Sequence, residues 1–172
     1  HEEALFRFKK YVELIKNSKK FDFHKRLFVK FYPQVSCKIN NVENFKKYAQ
    51  IENYDEGNIE FDDYKDECDL NIFNGQSTGF FQLININKPT LGLFHSFNKD
   101  IKDIYKDDFK KLAKVGVVHF NNQTLINFLN DIYKNIPDWW NSSDVQEALM
   151  VFRKKYAYNN KDFKFLIEKM KF

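Results

Sequence analysis

The sequence predicts an α/β fold, with a Rossmann-like parallel sheet and helices on both of its faces. Short apolar segments typical of strands alternate with longer segments in which apolar residues recur at helical spacing. This alternation predicts βαβ units, which build parallel sheets through right-handed crossovers. A length of 172 residues suits a single domain with a full core. We therefore expect residues 1–172 to form one domain that ends in C-terminal helices over residues 138–172.

The first half of the chain contains predicted helices and strands in alternation. The first helix starts at once and places six apolar residues on one face: Ala4, Leu5, Phe8, Tyr11, Val12 and Ile15. A strand at 27–32 ends at Pro33, because proline cannot continue a strand ladder. The remaining predictions are a loop at 33–41 with a short strand around Val35, a helix at 42–49, a weak strand at 51–54 and an acidic helix at 60–67.

The second half continues the pattern with stronger apolar signals. The predictions are a strand at 70–74, a helix at 78–86, a strand at 90–94, a loop at 95–100, a helix at 101–114, a strand at 117–120 and a helix at 124–134. The stretch from Pro137 to Trp140 interrupts this pattern before a last helical region. Ser143 and Gln146 fit a capping box at the start of that region.

Four small or polar residues separate the strand at 70–74 from the next helix: Gly75, Gln76, Ser77 and Thr78. A turn of this kind presents backbone N–H groups and the positive end of a helix dipole. The sequence therefore predicts an anion site that suits a nucleotide diphosphate. The simpler interpretation is that Ser77 and Thr78 only cap the helix.

Charge is distributed unevenly along the chain. The net charge of +4 is too small to indicate nucleic acid, and we expect no such partner. Residues 1–30 carry nine Lys and Arg against four acids, whereas residues 52–69 carry nine acids against Lys65, and the tail from Arg153 is basic. Basic ends around an acidic middle are compatible with peripheral contact with an anionic membrane. Ordinary solvated helix faces explain them more simply.

Cysteine usage and hydropathy indicate the compartment. Cys37 and Cys68 form no close motif, which favours reduced thiols. The sequence contains no apolar run long enough to span a membrane and no signal-peptide core. We expect a cytoplasmic location, with the inner membrane face as the site of any peripheral contact. Because the chain enters a helix directly after His1, we also expect it to be a fragment of a two-domain protein.

Several enzyme classes lack their motifs in this sequence. It contains no G-x-G-x-x-G, G-x-x-x-x-G-K, H-E-x-x-H, C-x-x-C or G-x-S-x-G pattern. The acids Asp62, Asp63, Asp66, Glu67 and Asp69 share one predicted helix and its end. Their spacing is typical of a solvated helix face, so we expect no metal site.

The pattern around the small turn resembles a known family. Ser77 and Thr78 are followed by Gln82 within the helix, and then by Lys88 and Pro89 before the next strand. This arrangement resembles the nucleotide-binding, C-terminal half of a GT-B glycosyltransferase, in which a carboxylate usually stands at the position of Gln82.

A second resemblance comes from the tail. Residues 116–157 contain a Trp-Trp pair followed by Asn-Ser and Val-Gln-Glu-Ala, and they end in Phe-x-x-x-Tyr-Ala. This segment is similar to a family of surface-polysaccharide transferases. The strand at 26–33 also matches that family, although relatives that move polyol phosphates have His where Tyr32 stands. Together the two resemblances span roughly residues 26–157.

The resemblance implies a donor site for a nucleotide sugar, a glycan or lipid-linked acceptor, and no permanently bound cofactor. Ser77, Thr78 and the amides near Gln76 would bind phosphate, and Gln82 would reach the ribose. Lys30 would stabilise the diphosphate leaving group. Because Gln82 lacks the charge of the usual carboxylate, its hydrogen bonds are weaker. The catalytic residues are unknown, and the base would come from a missing N-terminal half, so this chain alone is expected to bind without turnover.

Two histidines and two tryptophans complete the candidate residues. His95 and His119 follow predicted strand ends, where α/β sheets bind ligands, although a structural role is the simpler interpretation for each. Trp139 and Trp140 are interpreted as packing anchors, with an acceptor platform as the sharper alternative. Two other functions stay open: a GT-B-fold sugar-nucleotide epimerase and a non-catalytic interaction domain.

Overall fold

The computed structural model describes residues 2–31, 42–58, 60–75 and 77–156. Backbone contacts divide the chain into two compact units. The first unit comprises His1–Asp69 and His119–Asn135, and the second comprises Leu70–Val118 and Ile136–Phe172. The expectation of one domain that belongs to a longer protein stays a prediction.

The described elements alternate between helices and strands. In chain order they are α1 (Glu2–Ser18), a 3₁₀ turn (Asp22–Arg26), β1 (Val29–Lys30), α2 (Val42–Ala49), β2 (Tyr54–Asp55), α3 (Phe61–Tyr64), β3 (Asn71–Asn74), α4 (Thr78–Asn85), β4 (Thr90–Leu93), α5 (Phe97–Asp100), α6 (Asp103–Lys114), β5 (Val118–His119), α7 (Asn122–Ile132), α8 (Ile136–Trp140) and α9 (Ser143–Tyr156). β1 pairs with β2 and β3 pairs with β4, both in parallel. Parallel strands flanked by helices confirm the predicted α/β, Rossmann-like class.

The first unit is built around α1. Phe8 and Ile15 lie seven residues apart, so they share one face of α1, and both are buried. They form a cluster with Phe45 and Ala49 of α2 and with Ile51. Edge-to-face contacts join the rings, with the Phe8 and Phe45 centroids 5.0 Å apart. Leu5, which the sequence assigns to the same face, is instead 42% exposed.

The second unit is built around a three-stranded sheet in the order β3-β4-β5. All four residues of the central strand β4 are buried, as expected for a parallel strand covered on both faces. α4 buries Phe80, Leu83 and Ile84. The boundary between the units falls within β5, between Val118 and His119.

Aromatic rings fill much of the second unit's core. Phe109 of α6 has its ring centroid 5.2 Å from that of Phe94 and 5.4 Å from that of Phe152 of α9. Gly92 makes this packing possible, because a Cβ there would lie 2.5 Å from Phe94 Cε2 and 2.8 Å from Phe80 Cε2. A large side chain at Gly92 is therefore excluded by the rings beside it.

Some predicted elements differ from those observed. The strand predicted at 27–32 is formed at Val29–Lys30, and the predicted helix at 60–67 is the single turn Phe61–Tyr64. The predicted loop at 95–100 contains α5, because Phe97 is buried and the N–H groups of Lys99 and Asp100 donate back to Ser96 O. The strand around Val35 lies outside the described residues.

The start of the last helix also differs from its prediction. The residues that were expected only to interrupt the pattern form α8, which is Ile136–Trp140. The capping box of Ser143 and Gln146 is wrong, because the Gln146 side chain donates to Trp140 O at 2.7 Å. The backbone N–H of Gln146 instead donates to Ser142 O at 3.0 Å.

Candidate functional site

The turn between β3 and α4 has the strand, turn and helix that the sequence predicts. After Asn74 the chain turns at Gly75, whose N–H donates to Leu93 O on the neighbouring strand at 2.7 Å. Ser77 precedes the helix, and its Oγ accepts from the N–H of Phe80 at 3.2 Å. Ser77 is therefore the N-cap of α4, which is the structural role weighed for it in the sequence.

Gly75 is needed at this turn for its backbone conformation. Its φ is +73°, a left-handed value that side chains disfavour. Space is not the reason, since a Cβ at Gly75 would meet nothing within 4 Å. The left-handed residue turns the chain out of the sheet and into α4.

Thr78 and Gln82 lie on one exposed face of α4. They are four residues apart, so they are neighbours on the helix surface, and both are exposed. First-turn N–H groups of a helix have no acceptor within the helix, and here Ser77 takes that of Phe80. The backbone of Thr78 and Gly79 thus stands at the positive end of α4. Gln76 lies outside the described residues.

The loop that carries His95 leaves the sheet at the same edge as this turn. Asn74 is in register with Leu93, so β3 and β4 end side by side. His95 follows two residues after Leu93 and is half-buried. Among the candidate residues, the structure thus brings Ser77, Thr78, Gln82 and His95 to neighbouring segments of the second unit. Ligands of open α/β sheets bind at such carboxyl edges.

His119 has a different environment. It ends β5 and is buried, with its ring centroid 5.1 Å from that of Phe128 in α7. The ring therefore contributes to packing in the first unit.

Lys30 belongs to the first unit and has an ionic partner there. Its Nζ lies 3.0 Å from Asp55 Oδ2 on the paired strand β2. The Asp55 side chain is 7% exposed and also accepts from the N–H groups of Gly57 at 3.1 Å and Asn58 at 3.2 Å. Asp55 therefore accepts hydrogen bonds from these three donors, and its carboxylate partly neutralises the charge of Lys30 within the β1–β2 sheet.

Both tryptophan side chains donate a hydrogen bond to a backbone carbonyl of the second unit. Trp140 is buried and donates from Nε1 to Asn87 O at 3.0 Å, whereas Trp139 donates to Val115 O at 3.0 Å. The two ring centroids are 5.3 Å apart. These contacts agree with the interpretation of the pair as packing anchors.

The described residues contain neither a candidate metal cluster nor a helix suited to span a membrane. Within 2–31, 42–58, 60–75 and 77–156, no group of three His, Cys, Asp or Glu side chains is arranged to hold a metal ion. In the same residues no helix combines the length and hydropathy needed to cross a bilayer.

Comparison with known proteins decides the family. The model of the family described as "LIC12162 family transferase" matches residues 8–170. The chain belongs to the LIC12162 family of transferases. No curated protein and no solved structure matches the chain significantly. This LIC12162-family chain is thus assigned to a transferase family by its sequence.

The LIC12162-family chain also contains a cavity of mixed polar and apolar lining that the sequence analysis missed. It lies in the first unit and has a volume of about 150 Å³, with His24, Lys25, Glu52 and Asn53 among its lining residues. No sequence motif indicates this cavity, because its residues come from separate segments.

A hydrogen-bond chain orients His24. Ser18 Oγ donates to Ile15 O at 2.8 Å and lies 2.7 Å from His24 Nδ1, so Nδ1 is assigned as the protonated nitrogen. Burial lowers the pKa of His24 below its usual 6.5, nearby Lys19 adds to this effect, and Glu52 opposes it. Burial and Lys19 thus both disfavour the charged imidazolium.

Proposed function

We propose that this transferase-family chain is the donor-nucleotide-binding part of a GT-B-type glycosyltransferase that builds cell-surface polysaccharide. The supporting observation is the turn from β3 into α4, where Gly75 and the capped helix start lie at the carboxyl edge of a parallel sheet. The donor would be a nucleotide sugar, and the acceptor a glycan or a lipid-linked glycan. A cytoplasmic location, at the inner membrane face, follows from the same proposal.

The chemistry of the turn suits a diphosphate. The positive end of α4 carries roughly half an elementary charge, and Thr78 adds an exposed hydroxyl beside its own N–H. Ser77 contributes its backbone, since its hydroxyl already accepts from Phe80 N. Together with Gln76, these groups would hold the phosphates and stabilise the charge that develops on the leaving group.

The proposed donor site extends along α4 to Gln82. Gln82 lies one turn into α4 on the exposed face, where it could accept from and donate to the ribose hydroxyls. The role expected of Lys30 on a leaving diphosphate stays a prediction, since its ammonium is paired with Asp55 within the first unit. The catalytic base is proposed to come from a second domain, so that this chain binds donor without turning it over.

The test is a thermal-shift panel of UDP, CMP, CDP, GDP and ADP with two variants of Ser77. Ser77→Asn and Ser77→Asp both retain a good helix cap, because Asn and Asp cap about as well as Ser. They differ by one negative charge at the proposed phosphate site. Asn is therefore the matched control for Asp.

The expected result is stabilisation by one nucleotide. Ligand at about 100 times its dissociation constant adds roughly 2.7 kcal/mol, which is a Tm increase of about 5–11 °C for a chain of this size. Ser77→Asn should keep this increase, and Ser77→Asp should lose it. Equal increases in both variants would place the nucleotide away from the turn, and no increase with any nucleotide would refute the donor site.

A non-catalytic interaction domain is the second candidate. Two observations favour it: the Ser77 hydroxyl is occupied as a helix cap, and Lys30 is paired with Asp55. Both residues then have complete structural roles without any ligand. This function predicts a folded chain whose Tm is unchanged by all five nucleotides.

A further inference from the structure

A groove runs between α1 and α2 in the first unit. Its volume is about 660 Å³, which is within the range of about 300–1,000 Å³ typical of small-molecule sites. Leu5, Phe8 and Val12 of α1 and Tyr48 of α2 provide apolar walls. Leu5 is 42% exposed and Tyr48 is 46% exposed, so much of this apolar surface faces solvent.

The α1 side of the groove alternates apolar and cationic side chains. Leu5, Lys9, Val12 and Lys16 occur at spacings of four, three and four residues and therefore form one stripe along the helix. Lys9 and Lys16 are about 10 Å apart along the helix axis, so one anionic group can lie between their ammonium groups.

The two lysines of the stripe carry the groove's charge. Within the described part of the chain, neither Lys9 nor Lys16 forms an ion pair. The other two cations of α1 are paired: Arg7 Nη2 lies 2.7 Å from Glu3 Oε1, and Lys10 Nζ lies 3.0 Å from Glu13 Oε2. Glu13 also lines the groove, and its pairing with Lys10 offsets its negative charge. The groove therefore combines an apolar floor with a positive rim.

We propose that this groove binds one anionic membrane lipid, with its phosphate head between Lys9 and Lys16 and an alkyl chain against the apolar walls of the groove. Apolar walls select a hydrocarbon chain, and ammonium groups select an anionic head. The volume of about 660 Å³ lies within the range of small-molecule sites, which favours a single amphiphile as the occupant. This site lies in the first unit, and it is independent of the donor turn, which lies in the second.

The test measures binding to the full chain by isothermal titration calorimetry, with dodecyl phosphate below its critical micelle concentration. Dodecyl maltoside supplies the same chain with a neutral head, and inorganic phosphate supplies the head alone. We expect saturable 1:1 binding of dodecyl phosphate and at least tenfold weaker binding of both comparison probes. Co-sedimentation should likewise favour phosphatidylglycerol vesicles over phosphatidylcholine vesicles.

Two double variants separate the groove from general charge. Lys9→Gln with Lys16→Gln should weaken binding at least tenfold. Lys20→Gln with Lys25→Gln removes the same charge from exposed positions outside the groove and should change binding less than twofold. Leu5→Gln tests the apolar floor with a residue of similar helix propensity and should weaken dodecyl phosphate binding with little change in Tm.

Three outcomes would overturn the proposal. Dodecyl phosphate could show no saturable binding, or both double variants could weaken it equally. An acidic amphipathic peptide could instead bind, with dodecyl phosphate failing to do so, which would make the groove a protein-docking site. None of these results depends on nucleotide binding, so the lipid site and the donor site fail separately.

Discussion

Replacing Gly92 with alanine should destabilise the second unit by overpacking its ring cluster. The added Cβ would lie 2.5 Å from Phe94 Cε2 and 2.8 Å from Phe80 Cε2, whereas carbon atoms pack best at about 3.5–4.0 Å. Neither ring has free space, since Phe80 is 0% and Phe94 is 1% exposed. Phe94 is also held against Phe109, with the centroids 5.2 Å apart.

The magnitude is a balance of two effects. Overpacking of a tight core costs about 1–3 kcal/mol. Replacing glycine stiffens the unfolded chain, which offsets about 0.4–1 kcal/mol of that loss. The two ranges together give a loss of about 0–2.6 kcal/mol. Because both rings are fully buried, we expect Gly92→Ala to lower the free energy of unfolding by about 1–2 kcal/mol, equivalent to a Tm decrease of about 2–8 °C.

Tryptophan fluorescence during urea unfolding provides the assay. The chain has two tryptophans, Trp139 and Trp140, and both lie in the second unit together with Gly92. The signal thus reports on the unit that carries the substitution. A lower urea midpoint at an unchanged slope would show a loss of stability.

A double-mutant cycle tests the cause. Phe80→Leu replaces one of the two contacting rings with a smaller side chain. In that background the loss of stability caused by Gly92→Ala should be smaller by at least about 0.5 kcal/mol. Phe23→Leu is the control, because Phe23 is buried in the first unit and should show no coupling. A Gly92→Ala variant within about 0.5 kcal/mol of the parent, or equal coupling to both phenylalanines, would refute the reasoning.

Three further predictions concern buried or paired polar groups. Burial lowers the pKa of His24 below 6.5, so the unfolded chain binds more protons than the folded chain, and the free energy of unfolding should fall as the pH drops below 6.5. His24→Gln should remove this component from the pH dependence of unfolding, measured by circular dichroism. Hydrogen bonds from Lys155 and, to a smaller extent, Tyr156 hold the pKa of Asp108 below 3.8. The stabilisation of the folded state by ionised Asp108 should therefore be present above pH 3.8 and lost below it. Asp108→Asn should reduce the fall in Tm between neutral and acidic pH. Trp140→Phe removes the buried Nε1 donor to Asn87 O and should lower the free energy of unfolding by about 1–3 kcal/mol, measured by urea titration. A change below about 0.5 kcal/mol would contradict a stabilising role of this hydrogen bond.

The elements closest to their predictions are those with a local signal. The helix predicted at 42–49 is observed at Val42–Ala49, and the helix predicted at 78–86 is observed at Thr78–Asn85 with Ser77 as its cap. Apolar spacing and capping residues act over a few positions, so they are visible in the sequence. The strand predicted at 27–32 is observed at Val29–Lys30, because strand length depends on a partner strand that is remote in sequence.

The candidate site residues also divide into those with a local sequence signal and those whose contacts come from remote segments. The turn at Gly75 and the cap at Ser77 are local features, and the structure has them where the sequence predicts them. The partner of Lys30 could not be predicted, since Asp55 is 25 residues away and meets it only through the pairing of β1 with β2. His24 was missed for the same reason, because its cavity is assembled from separate segments.

The sequence by itself determined the class of fold, the alternation of helices and strands and the small-residue turn, because each depends on the chemistry of neighbouring residues. Only the tertiary structure decided the division into two units, the aromatic contacts that require glycine at Gly92, and the groove between α1 and α2. These features depend on side chains that are distant in sequence and come together only when the chain packs. Periodicity records which face of an element is apolar, and packing alone determines what that face meets.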